Sequence, residues 1–163
     1  MEQQNYTRQK VTKSESHVEV NLALLALVFT IFTLLITIKP SVLQQDNFLV
    51  IQLVLTIPLF MTSTLARLQL ITLGQAKRLK DLAHVSFLVA YSFLINVIGI
   101  LLNIFTSYQI SLLFFAVNIF MALIYSLVLA NHSKEHFWKK LGEDAYFFVS
   151  LLVLGIFHIM GIW

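Results

Sequence analysis

The sequence predicts an all-α integral membrane protein with five transmembrane helices, its N-terminus inside the cell and its C-terminus outside. Three observations lead to this fold class. First, the 163 residues are 58% hydrophobic and 12% charged, about half the charged fraction of soluble domains. Second, five apolar runs are long enough to cross a bilayer. Third, nearly all Lys and Arg residues lie in alternate connections between these runs.

The five runs each have the length that a helix needs to cross roughly 30 Å of hydrocarbon. The first follows a cytoplasmic segment, residues 1–19, and it is longer than the apolar part of a cleaved signal peptide. Pro58 is expected to kink the second or to leave a carbonyl that a neighbour satisfies. The third and fourth are joined only by residues 107–109, which predicts a tight antiparallel hairpin. The spans form one domain, residues 20–163, and cover about 20–38, 48–66, 84–106, 110–131 and 145–163.

The basic residues determine the predicted orientation. Ten of the eleven Lys and Arg residues fall in the N-terminal segment and in the 67–83 and 132–144 connections, whereas only Lys39 falls on the other side. We therefore expect a cytoplasmic membrane, of the bacterial type, with anionic headgroups as partners. Because the 67–83 connection is rich in Leu, we expect it to extend the second helix or to lie along the interface. The expected headgroup or protein contacts are Arg67, Lys77, Arg78, Lys80, Lys134, Lys139 and Lys140, and the expected interface anchors are Phe137, Trp138 and Trp163.

The composition excludes several classes of function. A chain without cysteine has no disulfide, thiolate nucleophile or cysteine metal site. The net charge of +3 and the pI near 9.3 come from short basic clusters, which differ from the continuous basic face of a nucleic-acid-binding protein. The predicted spans contain no Asp or Glu, so a proton-coupled or cation-coupled transporter is not expected.

Small and polar residues recur along one face of the third span and on a similar stripe of the fourth. Helix packing is one interpretation, because small residues allow close approach and amides hydrogen-bond across helices; Asn118 is then the expected partner of the third span's amides. A water-filled path at the centre of an oligomer is the other interpretation. The residues of these stripes are Ser92, Asn96, Gly99, Asn103 and Asn118.

One stretch has the pattern of a zinc enzyme. Residues 132–136 read H-x-x-E-H, as in inverted zinc peptidases. Such an enzyme also needs a third ligand on another helix and a substrate cleft, and after His136 the only acids are Glu143 and Asp144. We interpret the pattern as coincidental and expect neither catalysis nor a cofactor. His132 and His136 remain weak metal-ligand candidates.

Two functional hypotheses follow from these patterns. The leading one is an oligomeric channel-like or membrane-permeabilising subunit that conducts along the polar face of the third span, with Glu19 as a candidate for its cytoplasmic mouth. The alternative is a non-catalytic membrane module that anchors, assembles or regulates a partner protein through its basic cytoplasmic connections. A homo-oligomer is expected because so small a bundle has little interior of its own.

Overall fold

All secondary structure in the described part of the chain is helical. The computed structural model describes the backbone of residues 2–73, 77–130 and 134–162, and the side chains of residues 15–72, 77–128 and 142–162. The α-helices are α1 (Glu2–Ile38), α2 (Pro40–Gln45), α3 (Asn47–Leu73), α4 (Lys77–Phe105), α5 (Tyr108–Ala130), α6 (Lys134–Ser150) and α7 (Phe157–Ile159), with a π-helical segment, Leu151–Ile156, between α6 and α7.

Five helical stretches among the described residues are long and apolar enough to cross a membrane, which confirms the predicted fold class at this level. They also extend beyond the predicted spans at their polar ends, because Lys, Arg and Glu are good helix formers and the backbone hydrogen bonds continue past the last apolar residue. The stretches are Glu15–Ile38, Asn47–Thr72, Lys77–Phe105, Tyr108–Val128 and Gly142–Ile159.

Short polar breaks separate the first helices. Pro40 begins α2, at the position where a missing N–H removes no helical hydrogen bond. The Asp46 carboxylate then caps α3 by accepting the Leu49 N–H at 2.9 Å. At the start of α5, the Ser107 hydroxyl oxygen accepts the Ile110 N–H at 3.4 Å. α3 continues through Pro58, as apolar spans tolerate proline.

The chain forms two compact units, Met1–Tyr91 and Ser92–Trp163, with the boundary inside α4. In the first unit, α1 and α3 pack along a seam with the periodicity of a coiled coil. Buried positions on α1 are seven residues apart, and five of the eight buried positions on α3 alternate between spacings of four and three. The seam residues are Asn21, Val28 and Leu35 on α1 and Leu49, Leu53, Thr56, Phe60 and Ser63 on α3.

The second unit contains the end of α4, α5, α6, the π segment and α7. The π segment follows Ser150 directly, and the Phe157 N–H donates to the Leu152 carbonyl, five residues back. Phe115 and Leu151 are fully buried in this part of the chain. π-helical turns are rare and are frequently found at functional sites.

Candidate functional site

A buried hydrogen-bonded chain joins three helices of the first unit. The Asn21 amide of α1 donates to the Ser63 hydroxyl of α3 at 2.9 Å, and that hydroxyl donates to the Ala83 carbonyl of α4 at 2.8 Å. All three residues are buried. Polar groups in an apolar span must be satisfied within the protein, and here a single hydroxyl serves both neighbours. These two hydrogen bonds therefore fix how α1, α3 and α4 are aligned along their axes.

The polar face of α3 continues from Ser63 through Thr56 to Gln52, all of them buried. The Thr56 hydroxyl donates to the backbone carbonyl of Gln52 at 2.7 Å. The side-chain nitrogen and oxygen of Gln52 are buried without a hydrogen-bond partner. This α3 face thus has two satisfied hydroxyls, at Ser63 and Thr56, and an unsatisfied amide at Gln52, about three turns from Ser63.

The predicted polar face of α4 is also buried. Ser92 and Asn96 are each 0% exposed. The Asn96 Nδ2 donates to the Ser150 carbonyl at 3.4 Å and lies 3.5 Å from the Ser150 Oγ, both at the long limit for hydrogen bonds. The Asn96 amide therefore contacts the last residue before the π segment, a partner that the sequence pattern does not reveal.

Close packing occupies the small residues of the second unit. The Phe115 ring fills the space beside both Gly99 and Gly155: a β-carbon built at Gly99 overlaps the ring, and one built at Gly155 would lie 2.6 Å from its Cζ and 2.7 Å from the Asn96 Oδ1. The Ser111 hydroxyl donates to the Gly99 carbonyl at 2.7 Å. These contacts favour the helix-packing interpretation of this stripe.

The other two asparagines of the stripes are half-buried. The Asn118 amide donates to the Phe114 carbonyl on its own helix at 2.8 Å, so the pairing of Asn118 with Asn96 is not the one found. Asn103 lies near the end of α4. Of the predicted stripe residues, Ser92, Asn96 and Gly99 are therefore buried, whereas Asn103 and Asn118 remain partly exposed.

An acidic residue lies within the last candidate span. Asp144 is buried, and its Oδ2 is in hydrogen-bonding contact with the Ser126 hydroxyl of α5. The same hydroxyl lies 2.9 Å from the Ala122 carbonyl. The predicted fifth span begins at residue 145, whereas the apolar helical stretch begins at Gly142 and includes Asp144.

The predicted headgroup contacts of the α3–α4 pair lie at one end of these helices. Lys77, Arg78 and Lys80 are exposed on the first turn of α4, and Arg67 is half-buried on α3. α3 has 27 residues and α4 has 29, so each is roughly 40 Å long, about 10 Å more than the hydrocarbon core. We define the basic end as Lys77, Arg78 and Lys80.

Several predicted residues lie outside the described side chains: His132, Lys134, His136, Phe137, Trp138, Lys139, Lys140 and Trp163. The metal-ligand and interface-anchor predictions for them stay predictions. Glu19 is exposed on α1. Among the described residues, no group of three or more His, Asp or Glu side chains is placed to hold a metal ion.

No protein-family model, curated protein or solved structure matches the chain. The five apolar helical stretches of span length within residues 15–72, 77–128 and 142–162 indicate a helical protein suited to a membrane. Its function is therefore inferred from its own side chains.

Proposed function

We propose that the protein is a non-catalytic membrane module that docks an acidic partner protein through the basic end. The observation that carries this proposal is the exposure of Lys77, Arg78 and Lys80 together on the first turn of α4. Cations at a helix N-terminus interact unfavourably with the positive end of the helix dipole. The position of these three cations is therefore not explained by helix stability. It is explained by an interaction with an anionic surface outside the chain.

The lengths of α3 and α4 support an accessible docking surface. With about 10 Å of helix beyond the hydrocarbon, the basic end can reach the headgroup layer, where its cations are accessible from the aqueous side. The distribution of Lys and Arg favours the cytoplasmic side for it. At that surface, anionic lipid headgroups attract these Lys and Arg side chains by about 1 kcal/mol each. An acidic partner protein competes with the headgroups for the same side chains.

The burial of polar side chains supports the docking proposal over the alternative in which several copies of the protein enclose a water-filled path. Ser92, Asn96 and Gly99 are covered by the chain itself, and most of α5 exposes apolar side chains suited to lipid. A face that is packed inside each protomer does not line a path between protomers without repacking.

Neutralising the basic end is expected to abolish docking. A photo-crosslinking group placed at Gln69 captures the partner of the native chain in cells. The triple variant Lys77→Gln, Arg78→Gln, Lys80→Gln should recover at least tenfold less of that partner, because the charge complementarity is lost. Capture should also fall with added salt. Lys39→Gln, which removes the cation between α1 and α2, is the matched control and should recover the partner normally.

Two outcomes oppose the docking proposal. Equal recovery by the triple variant and the native chain contradicts it. If purified partner binds protein-free vesicles containing anionic lipids as well as it binds protein in neutral nanodiscs, the lipid rather than the basic end is the acceptor.

The channel-like homo-oligomer is a second candidate, favoured by one observation: the buried Asn96 Oδ1 has no hydrogen-bond partner, and Asn103 follows it on the same face. In proteoliposomes this candidate predicts ion flux that Asn96→Leu reduces about tenfold, because a polar contact in the path is removed. Asn118→Leu is the control, since that amide bonds its own helix. Absence of flux from folded oligomer, with the oligomer verified by chemical crosslinking, removes this candidate.

A further inference from the structure

Gln52 carries a buried amide for which the chain supplies no hydrogen bond. Its exposed fraction is 3%, and neither its Nε2 nor its Oε1 has a partner. A carboxamide has two donor hydrogens and one acceptor oxygen. Leaving such a group dry in an apolar environment costs roughly 2–7 kcal/mol, depending on the reference state. Native interiors satisfy such groups, with ordered water where no side chain reaches.

Thr56 places a second polar group beside this amide. It lies one helical turn further along α3, is 0% exposed, and donates its hydroxyl hydrogen to the Gln52 backbone carbonyl at 2.7 Å. The hydroxyl oxygen therefore keeps its acceptor capacity. Residues four apart lie on the same helix face, so an amide and a hydroxyl acceptor are adjacent on the buried side of α3.

The other buried amides differ from Gln52. The Asn21 amide donates to Ser63. The Asn96 amide donates to Ser150, and its oxygen lies against Gly155. Among the described side chains, Gln52 is the amide left without a partner at both its nitrogen and its oxygen.

We propose that Gln52 and Thr56 form a binding site for ordered water inside the first unit. One water accepts from the Gln52 Nε2, and it or a second water donates to the Gln52 Oε1 and the Thr56 Oγ1. These are the two to four polar partners that a buried water needs. Both side chains are uncharged, so the site takes a neutral ligand. The site is independent of the docking function proposed above.

The direct test is magnetisation transfer from water to the Gln52 amide in the full chain, labelled with [15N]glutamine and reconstituted in lipid. The Gln52 signal is assigned by its loss in Gln52→Met. Transfer is expected at a rate similar to that of exposed Gln69, and Thr56→Val should slow it at least twofold. If the Gln52 amide receives no transfer while Gln69 does, the water site is disproved.

Stability gives a second, independent readout. Gln52→Met keeps the approximate volume and removes the polar group. At a hydrated site this loses the hydrogen bonds to water and is expected to lower the unfolding midpoint. Thr56→Val should add little in the Gln52→Met background, because both residues share the same water. Fully additive effects of Gln52→Met and Thr56→Val on the midpoint would show that the two residues share no water, and would overturn the proposal.

Discussion

Gly99→Ala is expected to destabilise the protein by about 1–3 kcal/mol, the usual cost of extra volume in a packed core. The added β-carbon overlaps the Phe115 ring, which is fully buried and lies against Gly155 as well. The ring therefore has little room to move away from α4. A close helix approach of this kind is the reason that small residues are enriched where membrane helices meet. The measurement is the free energy of unfolding in mixed micelles titrated with SDS.

Two further variants make the Gly99 experiment specific. Gly142→Ala is the matched control: nothing lies within 4 Å of a β-carbon built there, so it should be neutral or slightly stabilising, because Ala is the better helix former. Phe115→Leu should recover part of the loss in the Gly99→Ala background by freeing volume, which appears as a coupling in the double-mutant cycle. Additive losses would show that the two residues are not in contact.

Ser63→Ala is expected to cost about 1–2 kcal/mol. It removes both hydrogen bonds of the Asn21–Ser63–Ala83 chain and leaves the Asn21 amide without its acceptor in an apolar interior. Interhelical hydrogen bonds in membranes average about 0.6 kcal/mol and reach about 1.7, and a hydroxyl that serves two helices belongs at the upper end. The same SDS titration measures the change.

Thr33→Ala is the control for Ser63→Ala. Thr33 is exposed, and its hydroxyl donates only to the Phe29 carbonyl of its own helix at 2.9 Å, so its loss should change stability by a few tenths of a kcal/mol at most. Asn21→Leu should be less harmful in the Ser63→Ala background than in the native chain, because the stranded amide is removed. Equal costs for Ser63→Ala and Thr33→Ala would contradict a role for Ser63 in joining the helices.

The apolar runs predict the five span-like helices because length and hydropathy are properties of each segment alone. The helix ends were harder to predict. α4 begins at Lys77 rather than at residue 84, since hydropathy stops at the first charges while helical hydrogen bonding does not. The possible extension of the second helix is confirmed, with α3 running to Leu73.

The sequence predicts which face of a helix is polar, but not which neighbour covers it. The spacing of Ser92, Asn96 and Gly99 predicts a shared face, and all three are buried. The spacing does not predict the residues that cover them. Ser150 follows no repeating pattern, and nothing distinguishes Phe115 from the other thirteen phenylalanines. Such partners depend on how separate helices meet, which is not encoded in the periodicity of any one of them.

The π segment has a consequence for how the chain tolerates changes in length. A π-helical turn holds one residue more than the surrounding α-helical hydrogen bonding requires. Deleting one residue from an α-helix turns everything beyond it by about 100°, which separates apolar faces from their neighbours. Within Leu151–Ile156, the same deletion removes the surplus residue and leaves both flanking faces aligned. This short segment is therefore where the deletion of one residue is expected to disturb the helix packing least.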